Sequence, residues 1–140
     1  MQTEEEKRLG EEKLLALKQR KSNSPYAKQN VRYVNAMWSF LSSTGKYPEL
    51  VDDNGEQRYD LFTVEMFEEF TTSPKLRKKS LNGSEDVMLK RDSYSKYKSA
   101  LFYLMRQKNM EPSTELKKGI KNHLDLIGNE NAEDAERGLV

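Results

Sequence analysis

A chain of 140 residues and 16.3 kDa, 35% hydrophobic and 34% charged, is sized for one globular domain and too short for two sizeable cores. Its 24 Lys and Arg offset 23 Asp and Glu to a net charge of +1, so the total selects no polyanionic partner. With no Cys and a single His, His123, disulfide frameworks, thiolate zinc sites, cysteine nucleophiles and multi-histidine metal sites are excluded, and no apolar run approaches the ~20 residues of a membrane span.

From Thr3 to Lys21 the chain is dominated by Glu, Lys, Arg, Gln and Leu, all good helix formers, while Leu9, Leu14, Leu15 and Leu17 are too sparse for a full core stripe. A peripheral helix is expected. Ser22, Asn23, Ser24 and Pro25 supply stop, linker and restart signals, so residues 1–24 read as a peripheral helix plus linker. A core helix follows, in which Val31, Val34, Trp38 and Leu41 recur at helical spacing and Tyr33, Met37 and Phe40 broaden the face.

Gly45 to Asp60, with Gly, Pro and Asp-Asp-Asn-Gly, reads as an acidic connecting loop. Thr63 then caps a short helix whose Val64, Phe67 and Phe70 share a face, ended by Thr71-Thr72-Ser73-Pro74. Lys75 to Arg91 is a basic connection anchored by Leu76, Leu81, Val87, Met88 and Leu89, with room for a short helix. Ser93 is placed to cap a helix through about Lys108, where Tyr94, Tyr97, Leu101 and Leu104 give the strongest helical pattern in the chain. Ser113 or Thr114 restarts the chain after Pro112, and Leu116, Ile120, Leu124 and Ile127 form the last stripe before Gly128 as its stop. Asn129 to Val140 reads as an acidic linker or tail, or one last weak helix. No segment alternates like a strand, so the expected fold is all-α, a bundle of four to five helices in a core domain of residues 25–128.

The neutral total conceals opposed blocks: residues 1–44 carry +3, 45–70 carry −6, 75–121 carry +8 and 124–140 carry −4. A +8 block permits one basic surface, the footprint of a protein that reads a phosphate backbone, although blocks of opposite sign also pair within a fold. Catalysis finds little support. Glu68 with Glu69, or Asp52 with Asp53, offers carboxylates for acid/base work or Mg²⁺, yet adjacent carboxylates are usually solvated. His123 reads either as a phosphate or base contact or as a partly buried structural imidazole. Neither Gly-x-Gly-x-x-Gly nor a P-loop lysine motif occurs, so no cofactor is expected. Tyr94, Tyr97 and Trp38 are read as core. Lys96 and Lys98, with Ser95 and Ser99, lie outside the apolar stripe and form a helix face that suits a DNA groove.

The run Tyr94-Ser95-Lys96-Tyr97-Lys98-Ser99-Ala100-Leu101-Phe102-Tyr103-Leu104 resembles the Tyr-x-x-Tyr-Arg-Ser-Ala-Leu-x-x-Leu helix in the N-terminal DNA-binding domain of Crypton-type tyrosine recombinases. A preceding helix like Phe62 to Phe70 and a following restart like Pro112 to Leu116 agree in order, and the resemblance covers roughly 25–138. It implies a SAM-like, integrase core-binding domain that clasps one face of double-stranded DNA, with a linker after Asn129 leading to a separate catalytic domain. Two positions depart from the pattern. Lys98 stands where the family commonly has Arg, which removes bidentate guanine recognition, and the last stripe ends in Asp125 to Glu130 rather than a basic run.

The expectation is therefore a non-catalytic DNA-binding domain supporting recombination or integration, nuclear, able to form a homo-oligomer on DNA, with no membrane partner and no cofactor. The expected phosphate contacts are Lys75, Arg77, Lys78, Lys79, Lys90, Arg91, Lys96, Lys98, Lys117, Lys118 and Lys121, with Ser95 and Ser99 as groove contacts. The alternative is a captured helical protein-interaction module working through the Thr3–Lys21 helix.

Overall fold

Ser24 and Pro25 start the first core helix as their chemistry dictates: Ser24 Oγ accepts the Ala27 N–H at 3.1 Å, and Pro25 fills the first turn, where no donor is needed. The computed structural model describes residues 3–22 and 24–140; Asn23 of the expected linker lies outside them. Among the described residues five α-helices run in chain order: α1 Glu4–Ser22, α2 Pro25–Ser43, α3 Val64–Thr71, α4 Arg91–Gln107 and α5 Thr114–Glu136. A two-stranded antiparallel hairpin, β1 Arg77–Lys79 with β2 Asp86–Met88, stands between α3 and α4. The chain is thus mostly helical, in agreement with the all-α expectation, with one small sheet among the described residues that the periodicity argument missed.

The α2 core stripe is Ala27, Asn30, Val34, Met37, Trp38 and Leu41. Val31, expected in it, is 42% exposed, because the stripe runs through position 30 and places Val31 about 100° away on the helix. Between α2 and α3 the acidic segment is a packed corner rather than an open loop. Two 3-10 turns, Pro48–Leu50 and Tyr59–Leu61, bury Leu50 and Tyr59, and Asp52 Oδ1 accepts the Asn54 and Glu56 N–H groups across the tight turn. Trp38 holds this corner: its Nε1–H donates to the Leu50 carbonyl at 3.0 Å, and its ring stacks on Phe62 and meets Tyr59 edge-on.

Thr63 caps α3 as expected, accepting from the Met66 N–H. The basic connection then folds as the hairpin, with Arg77 opposite Met88, Lys78 opposite Val87 and Lys79 opposite Asp86. Leu81, expected as an anchor, is 77% exposed at its tip, while Val87 is the buried strand residue. Gly83 takes φ +70° after Asn82, the left-handed geometry that an Asn-Gly turn supplies.

Helix α4 begins at Arg91, two residues before the expected Ser93 cap, and Lys90 at its N-cap provides no side-chain bond. Tyr94 is wholly buried; its hydroxyl donates to the Leu76 carbonyl at 2.6 Å and accepts the Leu89 N–H at 2.9 Å, tying both ends of the hairpin to the helix. α2 and α4 pack antiparallel, with Tyr26 edge-on to Tyr103 and Tyr33 edge-on to Tyr97.

Ser113 is the cap of α5, accepting the Leu116 N–H at 3.1 Å. The helix does not stop at Gly128. It continues to Glu136, so the segment expected as linker or tail is its last turns, and the stop is Gly138 at φ +72°. There the Gly138 N–H donates to the Ala135 carbonyl and the Leu139 N–H to the Asp134 carbonyl, a Schellman termination with Leu139 buried behind it. A mid-helix Gly costs about 1 kcal/mol relative to Ala, which the contacts of Ile127, Asn131 and Leu139 offset. α5 packs on α3 and α4, and Gly119 lets it approach Val64, whose side chain occupies the space a Cβ would need.

Candidate nucleic-acid interface

The exposed side of α4 is defined by what the helix buries. Its 17 residues rise about 25 Å, the length of about seven base pairs, and Ala100 and Leu101 face the core. Ser95, half-buried, and exposed Ser99 are one turn apart on the side of α4 that borders α2. Lys96 and Lys98, being two residues apart, diverge by about 200° and so flank the serines on opposite edges rather than sharing one row. Ser95, Lys96 and Ser99 line a cleft of about 340 Å³ with Tyr26, Gln29, Asn30 and Tyr33 of α2. Lys98 lines an adjoining depression with Ser99, Phe102, Tyr103 and Arg106, and Tyr26 and Ser99 border both. At the other end Asp92 joins the cleft to a hollow bordered by Lys78, Lys90 and Arg91. One continuous track therefore follows α4 from the hairpin to its C-terminal turns.

The eleven expected phosphate-binding side chains divide by place and by pairing. Lys75 lies in the 3-10 turn Pro74–Leu76, and Arg77, Lys78 and Lys79 lie on β1. Arg77 donates to the Thr72 carbonyl at 3.2 Å and Lys79 pairs with Asp86 at 2.8 Å. Arg91 pairs with Asp125 at 3.0 Å, and Lys121 reaches the same carboxylate at 3.1 Å. Lys117 shares Glu111 with Arg106. Glu111 and Asp125 thus stitch the basic edge of α5 to the two ends of α4, pairing with Arg91, Lys117 and Lys121. Lys75, Lys78, Lys90, Lys96, Lys98 and Lys118 form no ion pair with another described residue.

The α2 contribution escaped the sequence reading. Tyr26 is 61% exposed beside Ser99, and Gln29 and Tyr33 are hydrogen-bonded to each other at 3.2 Å on the cleft wall. Asn30 is buried, and its Nδ2 has no hydrogen-bond partner among the described residues. The available signal was Asn30 itself, a polar residue at the i−4 position to Val34 in the core stripe.

The carboxylates considered for catalysis do not converge on a cavity. Glu69 accepts from Lys46 and from the Tyr47 hydroxyl, and those bonds hold its carboxyl below the usual range and raise the Tyr47 phenol. Glu68 is exposed, and Asp52 is engaged in its turn. His123 takes the structural option: Nε2 lies 2.7 Å from Thr71 Oγ1, the ring meets Phe67 edge-on, and burial pushes its pKa down against a weaker opposing pull from Glu68. Among the described residues no group of three or more His, Asp or Glu is placed to hold a metal ion, and no helix is long and apolar enough to cross a membrane.

Neither a family model, nor a curated protein, nor a solved structure matches this chain.

Proposed function

We propose that the chain binds double-stranded DNA through the α4 track, as a non-catalytic, SAM-like core-binding domain of the tyrosine recombinase and integrase type, working in the nucleus in recombination or integration. One observation carries the reading: Lys96 and Lys98, both free of ion pairs with described residues, flank Ser95 and Ser99 on the α2-bordering side of a helix whose sequence resembles the Crypton-type motif. Ammonium groups at the two edges reach the two phosphate backbones of a groove while the small hydroxyls leave room for its floor. Lys75, Lys78 and Lys90 extend the positive surface past the N-terminus of α4. The experiment is a titration of a labelled 30-base-pair duplex, followed by fluorescence anisotropy at several salt concentrations. Binding that weakens steeply with salt is expected; no binding at low salt overturns the proposal.

A second reading, a helical protein-interaction module, is favoured by α1. Its Leu9, Leu14, Leu15 and Leu17 are 47–60% exposed, and every side chain from Thr3 to Leu17 faces solvent. A helix of this kind gains its stability from a partner. Sedimentation without DNA, over a range of protein concentrations, tests it.

A further inference from the structure

The hollow between the hairpin and the last turns of α5, at one end of the α4 track, has apolar walls that a phosphate backbone would not use. It is an open hollow of about 710 Å³ whose apolar walls are Leu81, Met88, Ala132, Ala135 and Val140, with Arg91 and the acidic Asp92 beside them. Lys78 and Lys90 stand on its rim without ion-pair partners among the described residues. The leucine at the hairpin tip is exposed although the Leu81 N–H is fixed to the Leu139 carbonyl at 2.9 Å, so the wall is held open by backbone bonding rather than collapsed. An exposed apolar hollow is a place where an apolar side chain of a partner can be buried.

The same chain carries a surface of opposite character. Helix α1 presents Leu14 and Leu17 one turn apart, preceded by a first half, residues 4–12, with net charge −3. Apolar side chains fit the hollow, and the acidic half fits its ammonium rim. We propose that α1 of one protomer docks in the hairpin–α5 hollow of a second copy, and that the exchange is reciprocal, giving a two-fold dimer. A reciprocal pairing closes on itself, so both leucine helices and both hollows are covered at once. The idea builds on α1 as an interaction element; because Lys78 and Lys90 belong both to this rim and to the proposed DNA surface, the dimer is tested without DNA.

Sedimentation equilibrium of the full chain without DNA gives the first result, and a concentration-dependent dimer is expected. Leu14→Glu with Leu17→Glu on the helix, and Ala132→Glu with Leu81→Asp in the hollow, each weaken that dimer by at least about tenfold. All four positions are solvent-exposed, and circular dichroism confirms that the variants keep their helices. The decisive arm mixes the two variants: each is defective alone, and together they form a heterodimer through the one intact helix and the one intact hollow. A dimer abolished by the leucine variant but untouched by the hollow variant overturns the docking site while leaving α1 as the contact, in an α1–α1 pair. A monomer at every concentration overturns both.

Discussion

Asn131 caps the N-terminus of a helix forty residues away: its Oδ1 accepts the Arg91 N–H at 2.8 Å, and its Nδ2 donates to the Leu89 carbonyl at 3.0 Å. Helix α4 has no local side-chain cap, so this late residue of α5 satisfies one of the four donors that every helix leaves unpaired at its start. The bond sets where α4, and with it the Lys and Ser face, begins.

Removing it has a measurable cost. Asn131→Ala is expected to lower stability to urea by about 1–2 kcal/mol, the range for losing a helix cap with a second hydrogen bond. Asn131→Asp keeps the acceptor, adds a negative charge at the helix N-terminus and loses only the donor to Leu89, so it recovers part of the loss. An unchanged midpoint in Asn131→Ala contradicts the capping role.

Gly119 supplies a prediction whose sign differs from helix propensity. Alanine is the better helix former by about 1 kcal/mol, yet a Cβ at 119 runs into the Val64 side chain. Gly119→Ala is therefore expected to destabilise the fold by about 1–3 kcal/mol, and Val64→Ala in the same chain to remove the conflict. A double-mutant cycle with no coupling between the two positions contradicts the packing described for α3 and α5.

Half-buried His123 makes stability depend on pH in a defined direction. Burial lowers its pKa below the ordinary 6.5, so the folded protein favours the neutral ring and the unfolded chain binds the proton first. Its contribution is present above about pH 6.5 and lost as pH falls through the folded-state value. Wild type should therefore lose stability relative to His123→Gln across that interval in chemical denaturation. Parallel pH profiles of the two proteins contradict the assignment. The carboxyls of Glu69, Asp60, Asp86 and Glu111, also lowered by their partners, act in a separate window at lower pH.

Local chemistry made much of this fold legible. Ser24, Thr63 and Ser113 each cap the helix their position announces, and the stripe Leu116–Ile120–Leu124–Ile127 is buried as its spacing requires. The errors share a cause, which is that distant contacts outweighed local signals. Gly128 looked like a stop because nothing local showed the residues ahead packing on the hairpin, and Ser93 looked like a cap because the true cap lies at Asn131. The hairpin escaped because three-residue strands are too short to alternate, although Asn82-Gly83 carried the turn. The candidate site follows the same pattern: Lys96, Lys98, Ser95 and Ser99 share one helix in the sequence, whereas the α2 wall of Tyr26, Gln29, Asn30 and Tyr33 exists only once two helices pack.

The most direct measurement of the central claim compares salt dependences of duplex binding for wild type, Lys96→Ala with Lys98→Ala, and Glu65→Ala as a control from another part of the surface. The account predicts that the paired variant weakens binding across unrelated sequences and lowers the slope of log K against log salt by ~0.9 for each phosphate left without its ammonium partner, with the control unchanged. A slope identical to wild type in the paired variant, with binding intact, would show that DNA meets the protein elsewhere and would contradict the α4 assignment.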